Sequence, residues 1–182
     1  VPYQNPKEHT GETPLHYAAQ RGHENVCKLL LERSKDKNPM TVYGETPFHL
    51  AAEGGHENVC KLFLEVIGVK NPRTKSGSTP LHYAASCGHL KIYQLILSHL
   101  EEKTPRDYMG RTPLHEAAKN GHFEVYRKII KKVKDKDPKD NSGFTPIHYA
   151  VLHGDLEICK FFYGNISEEN SKDQNGWTPL HL

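Results

Sequence analysis

The sequence predicts an all-α solenoid: helix–turn–helix pairs stacked in line and joined by extended or β-hairpin arms. Three observations predict it. The tetrapeptide Thr-Pro-apolar-His recurs at Thr13, Thr46, Thr79, Thr112, Thr145 and Thr178, always 33 residues apart. A glycine stands two residues before each Thr, from Gly11 to Gly176, and another closes the stretch that follows, at Gly22, Gly55, Gly88, Gly121 and Gly154. The chain is only 36% hydrophobic with mean hydropathy −0.72, thin for one deep core, yet aromatic and branched aliphatic residues run along its whole length. A fixed period of this size marks a layered architecture.

Each element follows from its residues. Thr13 supplies a hydroxyl to the free N–H groups of a helix start, and Pro14 suits the next position because its missing N–H would be unpaired there. Leu15, Ala18 and Ala19 follow at helical spacing, and Gly22 allows the left-handed backbone that stops a short helix. A second helix runs from His23 to Leu31, with Val26, Leu29 and Leu30 on one face. About a dozen residues then lead to the next Thr-Pro through a nearly constant proline column, Pro6, Pro39, Pro72, Pro105 and Pro138, with Ser171 last. That stretch reads as an extended arm with a tight turn. Neither helix is long enough to be stable alone, so the pairs must stack on their neighbours. Five layers at roughly 8–10 Å each extend about 40–50 Å. The chain reads as one domain, 1–182, in repeats of about 6–38, 39–71, 72–104, 105–137 and 138–170 with a partial unit at 171–182.

The run Thr13-Pro14-Leu15-His16-Tyr17-Ala18-Ala19, followed by Gly22-His23 and Leu29-Leu30-Leu31-Glu32, resembles the ankyrin repeat, and the likeness returns in every register. The loops after the second helices depart from it. Where the family has Gly-Ala-Asp-apolar-Asn, this chain has residues such as Ser34-Lys35-Asp36-Lys37-Asn38 and Leu100-Glu101-Glu102-Lys103-Thr104, so those loops are expected to take a different path. The family's arm aspartate is present at Asp107, Asp140 and Asp173 but replaced by Glu8, Thr41 and Thr74 earlier. The resemblance implies L-shaped repeats, no catalysis, and a partner protein met on the concave side by the arm tips and first helices. The chain stops five residues into a helix pair and neither end carries a polar capping repeat, so an excerpt from a longer array is expected.

Several chemistries find no support. Net charge +2 excludes a strongly basic nucleic-acid binder. There is no apolar run long enough for a membrane span and no signal-peptide pattern. Four cysteines do not make a disulfide framework. Cys27, Cys60 and Cys159 share one column beside an apolar helix face and read as small buried hydrophobes. Cys87, near the end of a first helix, has no basic residue set beside it to activate a thiolate. Ten of the 13 histidines fall in two repeat columns. Neighbouring layers hold them too far apart to share a zinc ion, so they read as helix-start and interlayer hydrogen-bonding groups. Residues 9–12 echo a zinc-finger linker without the cysteines, and Asn165-Ile166-Ser167 matches a glycosylation acceptor without a secretion signal. No phosphate loop, nucleophile elbow or carboxylate pair is present, so neither an enzyme nor a cofactor is expected. The basic run at 127–134 keeps Ile129, Ile130 and Val133 at apolar spacing, leaving its lysines as a solvated face.

Variation between repeats points to a partner surface. Net charge by repeat runs +1, −2, +2, +4 and −3, a basic centre with an acidic repeat on either side. Tyr43, Tyr108, Met109, Phe144 and Trp177 occupy arm positions that can supply little core. Arg73, Lys75, Arg106, Arg111 and Lys119 cluster near Tyr108. Exposed aromatic and Met side chains beside Arg are interface composition. The expected partner is an acidic-aromatic peptide or loop whose carboxylates Arg would grip bidentately, with Tyr108 and Phe144 giving apolar contact. No fixed homo-oligomer is expected. The alternatives are an elastic or architectural spacer, or a regulatory arm of a larger enzyme or channel. Free thiols favour a reducing compartment, the cytoplasm, with the nucleus as the second choice.

Overall fold

The computed structural model describes residues 10–165 and 171–182. Pro6, His9 and the Ile166 and Ser167 of the glycosylation match lie outside them. Five helix pairs follow in order: α1 Pro14–Gln20 and α2 Glu24–Arg33, α3 Pro47–Glu53 and α4 Glu57–Val66, α5 Pro80–Ser86 and α6 Leu90–Ser98, α7 Pro113–Lys119 and α8 Phe123–Ile130, α9 Pro146–His153 and α10 Leu156–Asn165. A 3₁₀ turn at Pro179–His181 starts the partial unit. The odd-numbered helices pack in one row and the even-numbered in a second, each touching its neighbours in the row and its own partner. One continuous core runs between the rows. Leu15, Phe48, Leu81, Leu114 and Ile147 fill it from the first helices, and the paired alanines beside them let the helices approach closely. Cys27 and Cys60 are fully buried in it, and desolvation pushes their thiols up to about 11 and about 12.

The arms contain no strand among the described residues. Each is a turn closed on itself, as where the Thr41 N–H donates to the Glu45 carbonyl at 2.9 Å and the Gly44 N–H to the Thr41 carbonyl at 3.0 Å. One backbone bond then ties each tip to the next: Val42 to Thr10, Lys75 to Tyr43, Tyr108 to Ser76, Asn141 to Met109 and Gln174 to Ser142. A single bond per neighbour is too little for a ladder, so the hairpin form of the expectation is reduced to a tight turn. The missing arm aspartates cost little. Asp107 Oδ1 accepts from the Met109 and Arg111 N–H groups at 3.0 and 2.8 Å. In the second arm the Thr41 hydroxyl takes over, accepting from Tyr43 and Glu45 at 3.2 Å.

The helix starts are locked by histidine. In α5 the Thr79 N–H donates to His82 Nδ1 at 3.2 Å and the Thr79 hydroxyl lies 2.9 Å from the same nitrogen. An Nδ1 that accepts from a backbone N–H carries no proton, so Nε2 does. It donates forward to the Arg111 carbonyl of the next arm at 3.1 Å. His49 and His115 repeat the arrangement toward Ser78 and Phe144. A second column runs backward: His56, His89 and His122 donate Nε2–H at 2.8 Å to Gln20, Glu53 and Ser86 carbonyls at the ends of the preceding first helices. Gly22, at φ +73°, gives this second column its room, since a Cβ there would stand 2.4 Å from His56 Nδ1.

The loops that depart from the ankyrin pattern use lysine. Lys103 Nζ donates to the Leu97 carbonyl at 2.9 Å and also to that of Leu100, and Lys37 donates to Leu31. A cation thus satisfies helix-end carbonyls and sits at the negative end of the dipole.

Burial lowers the pKa of His49, His82 and His115 to about 4. Below pH 6.5 the unfolded chain takes up protons that these folded imidazoles refuse until about pH 4. Stability is therefore full above pH 6.5 and falls with pH through that window, by on the order of 3 kcal/mol per histidine. Thermal melts followed by circular dichroism should show Tm level from pH 8 to 7 and dropping steeply between 6 and 4. A Tm that stays level to pH 4.5 would show that these histidines are not held neutral by the fold.

Candidate protein-interaction surface

The arm tips and the outward sides of the first helices carry the candidate residues, and the folding of each arm decides what they present. Successive tips are tied by their backbone bonds, so Tyr43, Lys75, Tyr108 and Met109 stand on three consecutive arms. Their side chains face solvent: Tyr43 is 63% exposed, Tyr108 66% and Met109 55%. Gly77 seats Tyr108, because at φ +83° it turns the third arm while leaving space where a Cβ would lie 2.7 Å from the Tyr108 ring and N–H. The Tyr108 carbonyl accepts from Asn141 Nδ2 at 2.9 Å, which holds the tip from the other side. Trp177 is 50% exposed but lies two arms further on, and its ring packs 6.4 Å from that of His181.

The basic residues divide into two groups. Lys75 and Lys119 are exposed, with no ion pair among the described residues. The three arginines are occupied. One guanidinium nitrogen of Arg73 donates to the Gly77 and Arg106 carbonyls at 3.0 and 2.6 Å, and another lies 3.5 Å from Glu102. Arg106 does the same one layer on, to Gly110 and Lys139 at 2.7 Å. Lys139 continues the column by donating to the Lys172 carbonyl at 2.8 Å. Arg111 is half-buried and forked between Asp107 at 2.7 Å and Glu116 at 3.2 Å. Arg73 and Arg106 brace arm to arm and Arg111 ties its own arm to α7, roles that the charge pattern alone does not separate from binding.

Phe144 is also turned inward. It is half-buried, with its ring 5.2 Å from His148 and 5.7 Å from Tyr149. Sequence reasoning passed over Met40, which is exposed beside Val42 and Tyr43 and makes the second arm the most apolar. The signal was available, since Met40 fills the column that holds Arg73, Arg106, Lys139 and Lys172 in later repeats.

Below the tips, Glu53, Tyr83, Ser86, Cys87, Glu116 and Lys119 line a shallow hollow of about 250 Å³. The Tyr83 hydroxyl donates to Glu45 at 2.7 Å across one layer. Burial and then Glu45 raise the Glu53 carboxyl. Burial and then Glu53 raise the Cys87 thiol, which leaves it protonated and a poor nucleophile. The hollow therefore offers shape and mixed charge without a reactive group. No helix among the described residues is long and apolar enough to cross a membrane.

The family model described as ankyrin repeats (3 copies) matches residues 2–71, 35–107, 64–140 and 128–182, overlapping spans that together run nearly the whole chain. No curated protein sequence matches it significantly.

Removing the Arg111 guanidinium should cost structure rather than binding surface. Arg111→Gln leaves the buried Asp107 carboxylate without its cation and is expected to lower stability by about 2 kcal/mol. Chemical denaturation measures this. An unchanged midpoint would mean that the guanidinium is free for a partner after all.

Proposed function

The chain belongs to the ankyrin-repeat family, whose members generally mediate protein–protein interaction and are typically non-catalytic, and from that premise we propose that it is an interaction module binding a partner protein or peptide on its concave face. The observation that carries this reading is the exposed set Tyr43, Tyr108 and Met109 on the second and fourth arms, with the unpaired Lys75 on the arm between them and the unpaired Lys119 on the first helix below. Rigid aromatic side chains give large contact area at low entropy cost, and a soluble surface seldom leaves several together without use. An extended acidic segment with aromatic or aliphatic residues suits that surface. Its carboxylates would meet Lys75 and Lys119, while Arg73 and Arg106 keep the arms in register and Arg111 fixes its own arm on α7. The free thiols fit a reducing compartment such as the cytoplasm.

The spacer reading receives less support. A pure spacer needs only the stitches between layers and has no use for arm tips as different as Val42, Lys75, Tyr108 and Asn141 in one column.

Affinity capture with quantitative mass spectrometry tests the proposal. Wild-type protein is compared with Tyr108→Ala/Met109→Ala and with Lys119→Glu, each first shown to melt like wild type. Truncating two central anchors should weaken a specific partner by about tenfold or more, and Lys119→Glu by less. Recovery of the same partner in the same amount by all three proteins would remove the arm tips as the binding surface.

A further inference from the structure

Two adjoining hollows lie away from the arm tips, where the loops after α6 and α8 part. One of about 340 Å³ runs beneath the base of the fourth arm, and a second of about 390 Å³ adjoins it, sharing Tyr93, Lys103, Lys132 and Val133. Their origin is local. Helices α2 and α4 each run ten residues, whereas α8 stops after eight. Its last turn tightens, with the Lys132 and Val133 N–H groups both reaching the Ile129 carbonyl at 2.8 and 3.2 Å. The residues equivalent to Val133 in the two preceding repeats, Ile67 and Leu100, are buried, but Val133 is only half-buried. The space it does not fill is the cleft.

The lining is apolar at depth and cationic at the mouth. Leu114, Ile129 and Tyr93 form the floor, each about as buried as the core itself. Tyr93 is 2% exposed and lines both hollows. Lys132 and Lys134 stand at the rim, exposed and without an ion pair among the described residues. The other cations there are already used: Lys103 on helix-end carbonyls and Arg106 on arm carbonyls. Asp135 also lines the cleft, but one of its oxygens accepts the Asp137 N–H at 3.2 Å. The surrounding repeat carries net charge +4, so the field over the mouth favours an anion.

We propose that this cleft is a binding site for a small carboxylate-bearing amphiphile, its apolar body lying on Leu114, Ile129 and Val133 and its carboxylate meeting Lys132, Lys134 and the Tyr93 hydroxyl. The volume lies at the small end of the range of ligand sites, about 300–1,000 Å³. An apolar enclosure with a few convergent donors is the composition such sites share. The site is independent of the concave face and stands whether or not a protein docks there.

Octanoate is a suitable probe, titrated below its micelle concentration into the isotope-labelled whole chain and followed by amide and methyl NMR shifts. Saturable shifts are expected at Tyr93, Ile129, Lys132 and Val133. Octylammonium, with the same tail and the opposite charge, and acetate, with no tail, should produce none. Lys132→Glu/Lys134→Glu should weaken octanoate about tenfold or more, and Val133→Phe, which fills the cleft, should abolish binding while the melting curve stays near wild type. Tyr93→Phe keeps the packing and removes only the donor, and should weaken octanoate severalfold. The proposal is overturned if octanoate causes no saturable shifts, if octylammonium binds equally well, or if the double charge reversal leaves the affinity unchanged. It is also overturned if only an acidic peptide, and not octanoate, perturbs these residues.

Discussion

A neutral imidazole at the start of each first helix is the constraint on which the remaining structure depends. Its Nδ1 takes the N-cap N–H of its own helix, and its Nε2–H reaches the carbonyl of the next arm, so one side chain caps a helix start and sets the distance to the following layer. Both jobs need the uncharged ring in one tautomer. At His16, His49, His82 and His115 burial supplies that condition, because water is excluded and the charged form has little to solvate it. The layer spacing then places the second histidine column, the glycines that make room for it, and the arm tips. A stack built from nearest-neighbour contacts has no other source of long-range order.

Most of the fold was legible because each layer is specified by local chemistry that repeats. Thr-Pro-apolar-His encodes a cap and a stitch, the glycines encode positive-φ stops, and the alanine pairs encode close approach. The surface was less legible, for a physical reason. A cationic side chain on an arm has the same sequence signature whether it greets a partner or braces a backbone. Arg73 and Arg106 lie 33 residues apart and make the same pair of carbonyl bonds in successive layers, a regularity that was visible but reads equally as a basic patch. Arg111 was harder still, because its partners Asp107 and Glu116 flank it in sequence without announcing the fork. Phe144 was misleading as an arm-tip aromatic, since its ring turns in against His148 and Tyr149. Tyr43, Tyr108 and Met109 remain outward because their positions, unlike that of Phe144, precede the turn glycine rather than follow it.

Charge use separates the two faces of the solenoid. Along the arms, Arg73, Arg106 and Arg111 are drawn into the frame, while Tyr43, Tyr108 and Lys75 are left for solvent. At the loop ends of the second helices, the shortened α8 leaves lysines at the rim of an apolar cleft. Other lysines of the atypical loops are used up there: Lys37 and Lys103 close helix ends where the ankyrin pattern would have used glycine. The departure from the family pattern is therefore a change of capping chemistry that leaves the layers in place.

Imidazole nitrogen NMR on His49, His82 and His115 tests the central constraint most directly. The account predicts the Nε2–H tautomer at pH 7, with each ring staying neutral until the pH approaches 4. Rings that titrate near the ordinary histidine value while the chain stays folded, or that carry the proton on Nδ1, would contradict it.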